Sequence, residues 1–159
     1  MVNAVKNFLW RACNNLLPTK MNLMRRGIVK DARCPICERE AETMTHILWR
    51  CSAAQDEWGC EPKKLQKGID EGLTFAQVLT TMIGRFDMEE IELMAVMAQK
   101  IWFRRNAMVR GGDFIHPDQV FRSTSSSLDD FRWVNGCKEP YIRSTTNTFA
   151  ETTHIYIYN

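Results

Sequence analysis

Cys34-Pro35-Ile36-Cys37, followed by His46 and Cys51, spells Cys-x2-Cys-x8-His-x4-Cys. Three thiolates and one imidazole complete a tetrahedral shell for one zinc ion, of the closed structural kind that leaves no ligand position for substrate or water. The motif dictates architecture before chemistry. Cys34 to Cys37 forms a tight knuckle, and the stretch Thr43 to Cys51 reads as the start of a helix, from about Met44 to Trp58, that delivers the other two ligands. Thr43 or Thr45 caps its entrance. His46 and Cys51 lie five residues apart, about 140° around an ideal α-helix, so the helix is expected to distort or fray near Cys51.

Two other readings of the same cysteines are weaker. A redox pair of the thioredoxin kind needs a strand before the first cysteine and a helix opening at it. The flank Arg26 to Arg33 holds at most a very short apolar run, and no βαβ pattern follows. A disulfide framework is possible by count, since the chain has six cysteines. No signal peptide precedes them, and Cys13, Cys60 and Cys137 are scattered outside the motif. A reducing intracellular compartment, nucleus or cytoplasm, is the expectation.

Working outward, the chain reads as mainly α. Val2, Val5, Phe8, Leu9, Ala12, Cys13 and Leu16 recur at helical steps, the spacing of one buried face. Pro18 ends that helix, Thr19 caps a second from Lys20 to Arg26, and Gly27 is a suitable left-handed C′ residue. Beyond the zinc motif, Gly59, Pro62, Gly68 and Gly72 mark a segment of low apolar density. Thr74 then caps a helix ending at Gly84. Asp87 with Glu90 makes a capping-box start to a long helix through Met108, whose stripe is Ile91, Met94, Ala95, Ala98, Ile101 and Trp102. Gly111-Gly112 stops it, and Pro117 suits the first turn of a further helix towards Val134.

The expected division is a zinc-binding module over 1–60, a linker over 61–73, a helical spacer over 74–135 and an irregular or disordered tail over 136–159. The fold class is thus a small zinc-stabilised helical module followed by a helical bundle. All five tryptophans, Trp10, Trp49, Trp58, Trp102 and Trp133, are expected in the core, Trp49 with an edge open beside the metal. Met88, Met94, Met97 and Met108 read as packing.

Certain words around the ligands carry a family resemblance. Asn7-Phe8-Leu9-Trp10-Arg11, Asn15-Leu16-Leu17-Pro18-Thr19, Asn22-Leu23, Arg25-Arg26-Gly27-Ile28, Cys34-Pro35-Ile36-Cys37, Glu42-Thr43, His46-Ile47-Leu48-Trp49-Arg50-Cys51 and Trp58 occur in that order. Residues 3 to 60 resemble the zinc-binding domain that follows the polymerase in plant LINE-type (non-LTR) reverse transcriptases. The resemblance implies a structural zinc on Cys34, Cys37, His46 and Cys51, and a neighbouring polymerase domain as a partner. Residues 74 to 135, through Ile101-Trp102-Phe103-Arg104-Arg105-Asn106, look less specifically like the helical spacer of such polyproteins.

The net charge is only +2, but it is unevenly spread. Lys6, Arg11, Lys20, Arg25, Arg26, Lys30 and Arg33 precede the first ligand against Asp31 alone, a local excess of six positive charges. Lys20, Arg25, Arg26, Lys30 and Arg33 surround the second helix and the approach to the knuckle, where they could meet successive phosphates of RNA or DNA. Surface lysines and arginines are also common as simple solvation of a helix. No apolar run approaches the roughly 20 residues that cross a bilayer, so no membrane partner is expected.

Catalysis is poorly supported. Asp129-Asp130 lacks the preceding aromatic of a polymerase aspartate pair, and a two-magnesium site needs a further distant carboxylate. His116 and His154 have no plausible triad. The sequence reads as a non-catalytic accessory module, with a zinc-stabilised protein-interaction scaffold as the alternative.

Overall fold

The computed structural model describes residues 1, 3–59 and 72–112, together with 119, 122–124 and 126. Most of the expected linker and of the helix begun at Pro117, together with Val2, Asp129-Asp130, Cys60, Cys137, His116, His154, Trp133 and the tail, lie outside the described residues. Within them the chain is helical: α1 (Asn3–Cys13), α2 (Lys20–Arg25), a π-helical turn (His46–Arg50), α3 (Ser52–Gly59), α4 (Phe75–Ile83) and α5 (Met88–Val109). The sole β feature among the described residues is an antiparallel bridge between Arg33 and Ala41, which closes the knuckle loop.

The helix ends follow from side chains already visible in the sequence. Thr19 accepts a hydrogen bond from the Asn22 backbone at the start of α2. Thr74 with Gln77, and Asp87 with Glu90, form complete capping boxes on α4 and α5. Three helices close with the same reciprocal pair of backbone bonds around a left-handed residue. At α5, Gly112 N donates to Ala107 O (2.9 Å) and Gly111 N to Met108 O (3.1 Å). Gly27 plays the left-handed part at α2, with φ 72°.

At α1 that part falls to Asn15, with φ 54°. The helix therefore stops at Cys13, well before Pro18. The extra turn rotates Leu16 outward and Leu17 inward: Leu16 is exposed and Leu17 buried, a correction to the predicted stripe. Val5, Phe8, Leu9 and Ala12 hold the buried face as expected.

Helix α5 is the axis of the molecule. Its stripe Ile91, Met94, Ala95, Ala98, Ile101 and Trp102 is buried, and Leu93, Val96 and Met97 are buried besides. It packs against α1, α4 and the π turn. Residues from both sides of the expected 61–73 linker thus enter one hydrophobic core, Phe8, Ile47 and Trp58 alongside Val78, Met97 and Trp102. Met94 and Met97 are core, Met108 is half-buried, and Met88 is exposed because it opens the first turn of α5.

Two tryptophans depart from expectation. Trp49 is fully buried, with its ring 5.1 Å from that of Trp58. Trp10 is exposed, since on α1 it falls on the side opposite Val5, Phe8 and Ala12.

Candidate metal centre

Cys34 and Cys37 sit in a short loop shaped by its own backbone bonds. Cys34 N donates to Glu40 O (2.8 Å), and Glu38 N donates back to Cys34 O (2.9 Å), with Glu38 at φ 55° making the turn. Glu42 N donates to Ala32 O (2.7 Å), completing a miniature hairpin that presents both sulfurs.

His46 and Cys51 come from the π turn. Thr43 caps its entrance, its hydroxyl accepting from His46 N at 3.0 Å. Thr45 instead donates to Leu73 O (3.0 Å). Cys51 N donates to His46 O at 2.7 Å, the five-residue bond of a π-helix. The widened turn removes the angular conflict of two ligands five apart on an α-helix, and Cys51 then leaves helical geometry at φ −56°, ψ 136°. The expected distortion therefore occurs as a defined turn, followed by a fresh start in α3. Side chains from α3 hold its end: Trp58 Nε1 donates to Leu48 O (2.9 Å) and Gln55 Nε2 to Trp49 O.

The four donor atoms of Cys34, Cys37, His46 and Cys51 all lie within 4.8 Å of one another. Cys34 Sγ and Cys51 Sγ are 3.9 Å apart, and Cys37 Sγ is 3.3 Å from His46 Nε2. Tetrahedral zinc with ordinary bond lengths places two sulfurs about 3.8 Å apart and a sulfur and a nitrogen about 3.6 Å apart. Among the described residues Cys13, Cys34, Cys37 and Cys51 are free thiols, and the Cys34–Cys51 separation is far beyond the roughly 2.05 Å of a disulfide. The donor set fits one structural zinc ion. Bound there, zinc cross-links the knuckle loop to the π turn.

The other ring nitrogen of the ligand histidine is also held. His46 Nδ1 lies 3.2 Å from Glu40 Oε2, the kind of carboxylate contact that fixes a ligand imidazole in orientation. In a metal-free state the four groups would share protons. The Cys51 sulfur, and then burial, push the Cys34 thiol up to about 12. Burial lowers His46, but the sulfurs of Cys34 and Cys37 outweigh it and hold the imidazole up at about 9. Zinc takes thiolates and neutral imidazole, so loading expels these protons and zinc affinity rises with pH.

Two buried ion pairs support the centre from α5. Arg105 grips Glu42 with two bonds, Nε to Oε1 at 2.7 Å and Nη2 to Oε2 at 2.6 Å. Glu42 Oε2 also accepts from Lys20 N (2.6 Å), so one carboxylate joins the ligand loop, the start of α2 and α5. Arg104 pairs with the buried Glu57 of α3 and reaches Ala53 O at 3.4 Å. These partners were missed in the sequence, although a signal existed. Arg104 and Arg105 follow Ile101 by three and four residues, so they fall on the apolar stripe. A basic residue in that phase calls for a buried acid.

The five basic candidates are not equivalent. Arg25, Arg26 and Lys30 are exposed and make no ion pair among the described residues. Arg33 is exposed but pairs with Asp31 at 2.8 Å. Lys20 is half-buried. Between α1 and α2, the buried Asn22 donates to Asn15 O (2.8 Å) and Leu17 O (2.9 Å), fixing the base from which Arg25 and Arg26 project.

Among the described residues no helix is long and apolar enough to cross a membrane. Comparison with curated proteins and with solved structures gives no match. Comparison with protein families does: residues 1–58, which hold all four ligands together with Glu42 and Glu57, match the family described as zinc-binding in reverse transcriptase.

Proposed function

We propose that this chain carries a non-catalytic nucleic-acid-binding module of a retroelement reverse transcriptase, of the plant LINE type, acting beside the polymerase domain in the nucleus or cytoplasm. The observation that carries the reading is the state of Arg25, Arg26 and Lys30. They are exposed, they make no ion pair among the described residues, and no acidic residue precedes Asp31 in the chain. A basic surface free of internal partners, fixed by a metal cross-link, suits the phosphate backbone of RNA or DNA. The closed donor set gives zinc a structural part, because four protein ligands leave no position for a reacting molecule.

The test is binding to RNA and DNA across a salt series. Arg25→Ala with Arg26→Ala is expected to weaken binding and to flatten the log–log salt slope by about 1.4 for a single strand, at roughly 0.7 per lost phosphate contact. Zinc content should not change. Binding without salt dependence would sink the reading. A second reading, a protein-interaction scaffold, draws on exposed Ile28 and Met24 beside the same arginines. It would be favoured if nucleic acid fails to bind while a polymerase domain does.

A further inference from the structure

Trp49, Trp58 and Trp102 are 6 % exposed or less, whereas Trp10 is 61 % exposed. On α1 the side chains one turn away from Trp10 are Lys6, Asn7 and Cys13, at four before, three before and three after; Arg11 is next to it, and Asn14 follows one turn on, just past the helix end. Lys6, Asn7, Arg11 and Asn14 are exposed, and Cys13 is half-buried. The helix has no acidic residue. Its end is fixed: Asn14 Nδ2 donates to Trp10 O (2.8 Å), and Asn15 is bonded to Asn22 in α2. The indole therefore stands on an ordered helical face ringed by amides and positive charge.

We infer that Trp10 is a stacking platform for a base of single-stranded nucleic acid, whose flanking phosphates meet Lys6 and Arg11. This rests on the nucleic-acid reading above and adds to it a second element and a strand preference. Charge decides the occupant. The buried centre of a protein–protein interface is depleted of lysine, and Lys6 stands one turn from Trp10. Single strands are bound by the opposite combination, an aromatic plane within a positively charged track. A duplex keeps its bases stacked internally and has no free face to offer the indole.

The experiment compares the full chain with Trp10→Ala and Trp10→Phe, using a short mixed-sequence RNA, its DNA counterpart and a duplex of equal length. Zinc content and circular dichroism confirm that each variant is folded. Trp10→Ala is expected to weaken binding of RNA or DNA single strands by about 5- to 150-fold, the range of one lost base stack. Duplex binding and the salt slope should be unaltered, and Trp10→Phe should retain most of the affinity. Equal loss on single strand and duplex, or no loss on either, overturns the stacking inference while salt-dependent binding leaves the backbone reading standing. A wild-type chain that binds no nucleic acid removes both. Sedimentation showing a dimer that Trp10→Ala dissociates would assign the face to a second copy and overturn the inference.

Discussion

Burying Glu42 and Arg105 together takes two charges out of water, which is tolerable because every contact between them is a hydrogen bond. Glu42 is 0 % exposed, and its carboxylate meets the arginine fork and the Lys20 amide. Arg105 also lies 5.2 Å from the Trp102 ring centroid, which adds a cation–π contact. Lysine cannot reproduce a two-pronged grip on a carboxylate. Arg105→Met leaves Glu42 buried without its cation and is expected to cost about 3–5 kcal/mol in a denaturant titration. Restoring neutrality with Glu42→Gln in the same chain should recover part of that loss. A cost near zero for Arg105→Met would mean that the pair is not buried in solution. At this scale the sequence was legible in its ligands, Cys34, Cys37, His46 and Cys51, because metal donors have fixed chemistry and spacing. It was not legible at Leu16, whose position depends on where α1 stops, and the stop is set by Asn15 adopting a left-handed conformation that its side chain permits without requiring. Trp10 was legible in its phase, opposite Val5, Phe8 and Ala12, but the expectation that a large aromatic belongs in the core overrode that phase.

Among the elements, the π turn does what no α-helix could. It admits one extra residue between His46 and Cys51 in the backbone bonding, so that both side chains reach one point. Deleting the exposed Arg50 shortens the spacing from five to four and removes the reason for the turn. Zinc affinity, read by competition with a chromophoric chelator, is expected to fall at least tenfold, as when the groups that orient a metal ligand are lost. Arg50→Ala, which loses only an exposed ion pair to Glu40 (3.7 Å), should bind within a few-fold of the wild type, on the order of the worth of one surface pair. If the deletion retains full affinity, the turn is incidental to the metal. The sequence showed that something must yield near Cys51, since five residues and 3.6 per turn are incompatible. Which distortion results depends on Trp58 and Gln55 of α3 holding the carbonyls at its end, contacts that no local pattern encodes. By contrast the ends of α4 and α5 were legible, because Thr74, Asp87 and the glycines after each helix specify them through their own side chains and torsions.

Over the whole molecule, the metal and the apolar core hold different parts. The knuckle loop has few apolar anchors of its own and relies on backbone bonds at Cys34, Glu38 and Glu42, whereas α5 is buried along most of its length. Zinc binding supplies on the order of 10 kcal/mol in small zinc modules. Chelation is therefore expected to speed hydrogen exchange first at the amides of residues 34 to 51, with Met94 to Trp102 protected longest. Uniform loss of protection would show that the core cannot stand without the metal. The expected fold class was readable from helical periodicity. The sharing of one core across the segment of low apolar density was not, because periodicity reveals which face of a helix is apolar and is silent on which other face it meets.

Arg104 and Arg105 reach back 47 and 63 residues along the chain to Glu57 and Glu42. The stretch that matches the family ends at residue 58, so a cut made there would keep every zinc ligand and discard both cations. Two carboxylates shaped for burial would be left facing solvent or each other's empty sockets, and Phe8 and Ile47 would lose the surface they cover. The unit that folds is therefore longer than the stretch that matches: a chain that lost the distal helix would lose with it the foundation of the proximal metal fold.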